Sequence, residues 1–190
     1  DDLYDTVKTL EDVATVIRLP TLGTIIKMKD VKGGSEIYRL VTVLYPRGAA
    51  AEAYRTLRSN VEFASVDQSV RTLLVTSSIP GEGKTTTAGN LAVVFAQANK
   101  KVILLDADLR KPGVHNLFNL PNASGLSTLL RDEAVELDDV AQETEQENLR
   151  IITTGPLPPN PAELLGSPRM TALLEPPVDA ADLGTGDSPP

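Results

Sequence analysis

The sequence predicts an α/β fold, a parallel sheet with helices packed on both faces. Continuous apolar runs recur along the chain, "RTLLVTS" (71–77), "KVILLDAD" (101–108) and "LRIITTG" (149–155), and stretches of helical spacing separate them. Strands that are apolar on both sides belong to parallel sheets covered on both faces. The first run also passes through a glycine-containing turn, "TSSIPGEGKTT" (76–86), directly into an amphipathic stretch.

The elements follow in order. Residues 1–47 mix short apolar runs with turns and read as a linker-like segment. Within them "TLGTIIKM" (21–28) predicts a strand, "KDVKGGSE" a polar loop, and "EIYRLVTVLYP" a second strand ending at Pro46. "AAAEAYRTLRSNVEFA" (49–64) predicts a helix with Ala50, Ala53, Tyr54, Leu57, Val61 and Ala64 on one face and Glu52, Arg55, Arg58 and Glu62 on the other. Residues 71–77 predict a buried strand, and a helix is expected over about 84–99 with Ala88, Leu91, Ala92 and Phe95 facing inward. A second buried strand covers 101–108, short helical patches fall near 127–131 and 137–144, and a third strand covers 149–155. Residues 160–175 are helical in part, with Asn160 suited to the cap and Pro161 to the first turn. Residues 48–175 therefore make up one domain. The stretch 176–190, with four prolines, two glycines and three aspartates, predicts a disordered tail.

Composition narrows the function classes. A chain of 190 residues is long enough for one sizeable domain. The absence of cysteine excludes disulfides and thiolate metal sites. A formal net charge of −8 argues against a general electrostatic grip on nucleic acid or anionic lipid. No apolar run approaches the ~18 residues of a membrane span, so a soluble chain is expected.

The chemistry lies around Lys84. Where a buried strand turns into a helix, the first backbone N–H groups lack helical partners and the positive end of the dipole faces outward, which suits an anion. Gly81 and Gly83 let the backbone curl round a phosphate, Lys84 supplies a point charge for the β- and γ-phosphates, and the Thr85 hydroxyl suits Mg²⁺. The pattern G-x-x-x-x-G-K-[ST] has Ser78 in its first place, so the expected phosphate-binding residues are Ser78, Pro80, Gly81, Glu82, Gly83, Lys84, Thr85 and Thr86. This makes the predicted sheet P-loop NTPase-like. The bland alternative is a glycine turn carrying an incidental lysine. The run "VILLDADLR" ends in Asp106 and Asp108, and carboxylates at the C-terminal end of a strand face the crevice where ligands bind in open α/β sheets. Asp106 suits Mg²⁺ or its water, and Asp108 suits deprotonation of an attacking hydroxyl. A solvated strand end is the competing account.

Together these motifs resemble the bacterial tyrosine kinases (BY-kinases) of capsule and exopolysaccharide synthesis. "SSIPGEGKTTTAGNLAVVFAQANKKVILLDADLRKP" is similar to their Walker A loop followed by their Walker A′ strand, and Ala or Ser is common at the first Walker A position. Glu52, Arg55 and Arg58 match the family's E-x-x-R-x-x-R oligomerisation motif, and "GPLPPNPAELLGSPRM" is similar to a stretch after its third strand. The opening 25 residues resemble the segment that follows the second membrane helix of a chain-length determinant domain. The resemblance implies ATP and Mg²⁺ bound through Lys84, Thr85, Asp106 and Asp108, and phosphorylation of protein tyrosines between neighbours in a homo-oligomeric ring. It also implies a membrane chain-length determinant partner and a place at the cytoplasmic face of the plasma membrane.

Two features of that family are absent from these residues. No apolar strand ending in Asp, the Walker B element, follows "RMTALLE", and the four tyrosines Tyr4, Tyr38, Tyr45 and Tyr54 all precede the loop. The domain is therefore expected to be C-terminally incomplete, with weak or absent kinase activity even where nucleotide binds. Two other functions compete: a non-enzymatic nucleotide-sensing assembly module of the polysaccharide machinery, and a partitioning-type P-loop ATPase. Against the last, Ile79 stands where that group has its signature lysine.

Overall fold

Val41–Leu44 (α1) opens the described part of the domain as a single helical turn, not as the end of a strand. The computed structural model describes residues 18–26, 40–64, 71–79 and 81–175. The tail expected at 176–190, the whole of the loop expected at 29–36, the last two residues of the strand expected at 21–28 and the first four of the strand expected to end at Pro46 lie outside them. In this turn Thr42 bonds to a side chain. Its N–H and hydroxyl both donate to the side chain of Asn90, and the Val43 and Leu44 N–H groups close onto the Leu40 carbonyl. Residues 21–26 form no strand either; Ile25 rests on the core while the Leu22 carbonyl accepts from Asn60 Nδ2 at 2.6 Å.

Ala49–Ala64 (α2) has its predicted bounds. Its inward face is centred on Ala51, Tyr54 and Val61, so Ala51 joins the buried side and Ala64 leaves it. Lys84–Gln97 (α3) follows the glycine loop. Asn99, in the left-handed region at φ 61°, stops it as a residue past a C-cap does. This helix is not amphipathic in the predicted sense. Leu91, Ala92, Val93 and Val94 are all buried, because α1 and α2 cover one side and the sheet the other.

The sheet contains Val102–Leu105 (β1), Gln142–Glu143 (β2) and Leu149–Ile152 (β3) in the order β1-β3-β2. β1 and β3 are parallel, with Val102 opposite Leu149 and Leu105 opposite Ile152. β2 runs antiparallel to β3, so the sheet is mixed where a parallel one was expected. The reason is local. The Thr144 hydroxyl donates to the carbonyls of Gln146 and Leu149, closing a tight turn, and a turn that short joins only antiparallel strands. For the same reason the helix expected at 137–144 stops early, at Leu137–Val140 (α6 in chain order).

The segment 71–77 departs most from expectation. It forms no strand and pairs with none among the described residues, and Leu74 is 81% exposed. A strand is buried on both faces only when neighbours hydrogen-bond to its edges, and the three described strands offer it none. Ile103 of β1 is 44% exposed as well.

Two more helices precede α6, Val114–Leu117 (α4) and Leu126–Arg131 (α5); Pro161–Leu165 (α7) and Pro168–Leu174 (α8) follow β3. Helices cover both faces of the sheet, as predicted. Leu149 and Ile151 point towards α3 and α4, while Ile152 points towards α5, α6 and Met170 of α8. Among the described residues no helix is long and apolar enough to cross a membrane.

At the C-terminal end of β3 the backbone of α5 lies directly on the strand. Leu126 N–H donates to the Thr153 carbonyl at 2.7 Å and Ser127 N–H to that of Thr154 at 2.8 Å. A Cβ on Gly125 would meet the Thr153 carbonyl and, at 2.5 Å, the Gly155 nitrogen; both are backbone and cannot turn aside. Gly125→Ala is therefore expected to cost about 3 kcal/mol, read as a lower urea midpoint with an unchanged denaturant slope.

Candidate functional site

The loop between residue 77 and α3 is shaped by two left-handed glycines. Gly81 lies at φ 85° and Gly83 at φ 92°, conformations that L side chains rarely adopt. A Cβ at either position would meet nothing within 4 Å, so both face open space: a concave cradle of backbone. Gly83 is the N-cap of α3, and the Thr87 N–H, donating to the Gly83 carbonyl at 2.8 Å, makes the helix's first internal hydrogen bond. The N–H groups of Lys84, Thr85 and Thr86 thus have no helical acceptor, which is the donor set a phosphate takes.

The Glu82 carboxylate folds back over the loop. It accepts from Ile79 N–H at 3.3 Å and from the Ser78 hydroxyl at 3.3 Å. These bonds, the one from Ile79 N–H foremost, hold its pKa below the usual carboxylate range. Ser78 in the first position therefore serves the loop's own closure, a task glycine has no side chain to perform. Lys84 is half-buried, and among the described residues no carboxylate pairs with it. Pro80 lies outside the described residues.

Asp106 stands at the end of β1, only 5% exposed. Its Oδ1 accepts from Asp108 N–H at 3.1 Å, and its Oδ2 accepts from Gly113 N–H at 3.1 Å and Val114 N–H at 3.0 Å. Burial raises its pKa above the usual carboxylate range, against the pull of those three N–H groups. Asp108 Oδ1 accepts from the N–H groups of Arg110 and Lys111, at 3.3 and 2.9 Å. The two carboxylates thus tie down the 106–114 loop.

That loop comes back against the phosphate cradle. A Cβ on Gly113 would lie 3.2 Å from Thr85 Oγ1, so Gly113 bridges Asp106, through its N–H, and Thr85, through its bare Cα. An open depression of about 200 Å³ is lined here by Thr85, Thr86, Lys111, Gly113 and Asn116. Through Gly113 the loop that Asp106 holds thus lies against Thr85 of the glycine loop's helix. Lys111, Gly113 and Asn116 also belong to this site, although no motif singled them out.

The donor set suits a nucleotide phosphate with Mg²⁺. Backbone N–H groups, Lys84 and the glycine cradle match the phosphates; the Thr85 hydroxyl, linked to Asp106 through Gly113, matches a small hard cation. Among the described residues no group of three or more His, Asp or Glu forms a closed metal cage.

Comparison with known proteins agrees with this geometry. The ParA family profile, described as "NUBPL iron-transfer P-loop NTPase", matches residues 68–171. The tyrosine-protein kinase YwqD of Bacillus subtilis (strain 168) is 47% identical over 158 residues, 83% of this chain. Two solved structures superpose with a TM-score of 0.77: the chimerical protein CapA2B2, 42% identical over 87% of this chain and 68% of its own, and the BceF tyrosine kinase domain, 32% identical over 87% and 69%. The chain belongs to the bacterial tyrosine kinase family.

Within the P-loop NTPases, the kinase branch also fits better than partitioning. Ile79 stands in the signature-lysine position of the partitioning ATPases. The chain spans 66% of the length of YwqD.

The other residues singled out lie on α2. Glu52, exposed, and Arg55, half-buried, pair with each other at 2.8 Å. Arg58 is half-buried, and its Nη1 donates to the Val94 carbonyl of α3 at 3.1 Å.

The sign of the Asp106 shift sets a pH dependence. A folded-state pKa above the unfolded value means the native chain holds this proton more tightly, so the contribution of Asp106 to stability is full at low pH and is lost as pH rises through its raised pKa. In the metal-free chain, the stability of wild type relative to Asp106→Asn should fall as pH rises upward from the ordinary aspartate range. Urea unfolding of both proteins across that range checks it; a flat difference would show that the carboxyl titrates as it does in the unfolded chain.

Proposed function

We propose that this chain is the nucleotide-binding domain of an autophosphorylating protein-tyrosine kinase that uses Mg²⁺ and ATP and regulates exopolysaccharide or capsule polymerisation and export. The observation that carries the proposal is the left-handed Gly81 and Gly83 cradle at the open N-terminus of α3, set beside the buried Asp106 and linked to it through Gly113 and Thr85. Membership of the tyrosine kinase family supports the choice of chemistry.

Each residue then has a part. The loop formed by Ser78, Pro80, Gly81, Glu82 and Gly83, with the N–H groups of Lys84, Thr85 and Thr86, holds the phosphates, and the Lys84 ammonium balances their charge. The Thr85 hydroxyl and Asp106, directly or through water, hold the cation. When bound, Mg²⁺ supplies charge neutralisation at the phosphates as the bond to the leaving group breaks. Asp108 accepts the proton of the attacking tyrosine hydroxyl, its one free oxygen being available while the other is bound by the loop. The proton moves from phenol to carboxylate while the phosphoryl group moves from ATP to the phenol oxygen, leaving ADP.

The Glu52–Arg55 pair is assigned to contact with a neighbouring copy in a ring of kinase domains, with Arg58 as the tie to α3. A membrane chain-length determinant domain, in the same polypeptide or another, is the assigned partner, which places the domain at the cytoplasmic face of the plasma membrane.

Titration calorimetry with Mg²⁺·ATP tests the proposal. Wild type is expected to bind, and Lys84→Met to lose about tenfold or more in affinity, the weight of a charge-assisted contact. Phosphotyrosine blotting with and without Lys84 separates a kinase from a nucleotide-sensing assembly module. Equal binding by both proteins would remove the phosphate cradle from the account.

A further inference from the structure

The first turn of α3, which carries Lys84, Thr85 and Thr86, is braced from behind by a buried polar bridge. Asn90, one turn further along, has no exposed surface. Its Oδ1 accepts from the N–H of Thr42 at 3.0 Å and from the Thr42 hydroxyl at 2.8 Å, while its Nδ2 donates to the Thr86 carbonyl at 2.9 Å. The partners dictate which way the amide faces, since an N–H only donates and a carbonyl only accepts. Thr42 is equally buried and comes from α1, 48 positions earlier in the chain.

This chemistry is specific to asparagine. Aspartate would set an oxygen against the Thr86 carbonyl, and leucine would leave the Thr42 N–H and hydroxyl buried without that acceptor. Packing alone does not call for it, because an apolar pair of the same shape fills a core at little cost. Thr86 links the bridge to the site: it is 8% exposed, lines the depression beside Thr85, and lies within the run of unpaired N–H groups.

We propose that Asn90 is a positioning residue of the nucleotide site and that Thr42 is its anchor. Together they hold the backbone at Thr86 so that the N–H groups of residues 84–86 converge on one phosphate. The α1 turn thereby becomes part of the nucleotide machinery although it touches no ligand. The proposal rests on the nucleotide assignment above.

The test compares Thr42→Val, Thr42→Ser and Asn90→Leu with wild type, well below the melting temperature of each. Two quantities are read: the Mg²⁺·ATP dissociation constant, and amide hydrogen exchange at Thr87–Asn90 in the nucleotide-free chain. Thr42→Val and Asn90→Leu are expected to weaken binding by about tenfold, the scale of a sub-ångström misplacement, and to speed exchange at Thr87–Asn90 while leaving Leu91–Phe95 unchanged. Thr42→Ser, which keeps the hydroxyl, should stay within about twofold of wild type. The proposal is overturned if Thr42→Val and Asn90→Leu lower the melting temperature but bind nucleotide as wild type does. It is also overturned if exchange rises evenly along α3. Should wild type itself bind no nucleotide, the functional assignment falls, and the exchange measurement still decides whether the bridge fixes the first turn.

Discussion

The structure depends on a single requirement: α3 must be buried on every side yet open at its first turn. A helix enclosed all round cannot be placed by a hydrophobic stripe, because it has no polar side to leave outside. Its position is set instead by what surrounds it. The sheet meets it through Leu149 and Ile151, α1 and α2 meet it through Val41 and Tyr54, and Leu117 of α4 presses on it near Gly89, where a Cβ would come within 2.5 Å of that leucine. What remains free is the N-terminus, where the helix dipole and three unpaired N–H groups are exposed.

The polar contacts around α3 follow from the same requirement. A buried helix tolerates polar groups only when each finds a partner. Asn90 finds Thr42 and Thr86, Tyr54 finds Thr87, and the Val94 carbonyl takes a second donor from Arg58. On the far side of the cradle, Asp106 is buried at the cost of a raised pKa, and three backbone N–H groups offset part of that cost. These N–H groups come from the loop that returns to Thr85, so the bonds that make burial of the carboxyl tolerable also build the wall of the site. Stability and function draw on the same few hydrogen bonds here.

The glycine loop, the DxD strand end and α2 were legible in the sequence because each carries a local signal: left-handed glycines, an apolar run ending in carboxylates, and a helical period with one polar face. Signals that depend on a distant partner were not legible. "RTLLVTS" has the composition of a buried strand, but burial needs edge partners, and Leu74 stands exposed where those are absent among the described residues. "LVTVLYP" alternates like a strand, yet Thr42 bonds to a side chain 48 positions away and the segment closes into a helical turn. The antiparallel β2 was hidden for a similar reason, since a hydroxyl at Thr144 decides the direction of the chain. Gly113, Lys111 and Asn116 join the site only because Asp106 holds their loop against Thr85, a contact that spacing along the chain does not record.

The central claim is that the open first turn of α3 and the Asp106–Val114 loop form one phosphate site. Amide chemical shifts recorded with Mg²⁺·ATP, and again with Mg²⁺·AMP, test it most directly. The account predicts that ATP moves the Gly81–Thr87 and Asp106–Val114 resonances together, with one common affinity, and that AMP moves them far less. It would be contradicted by ATP shifting only one of the two segments, or by the largest changes falling away from both.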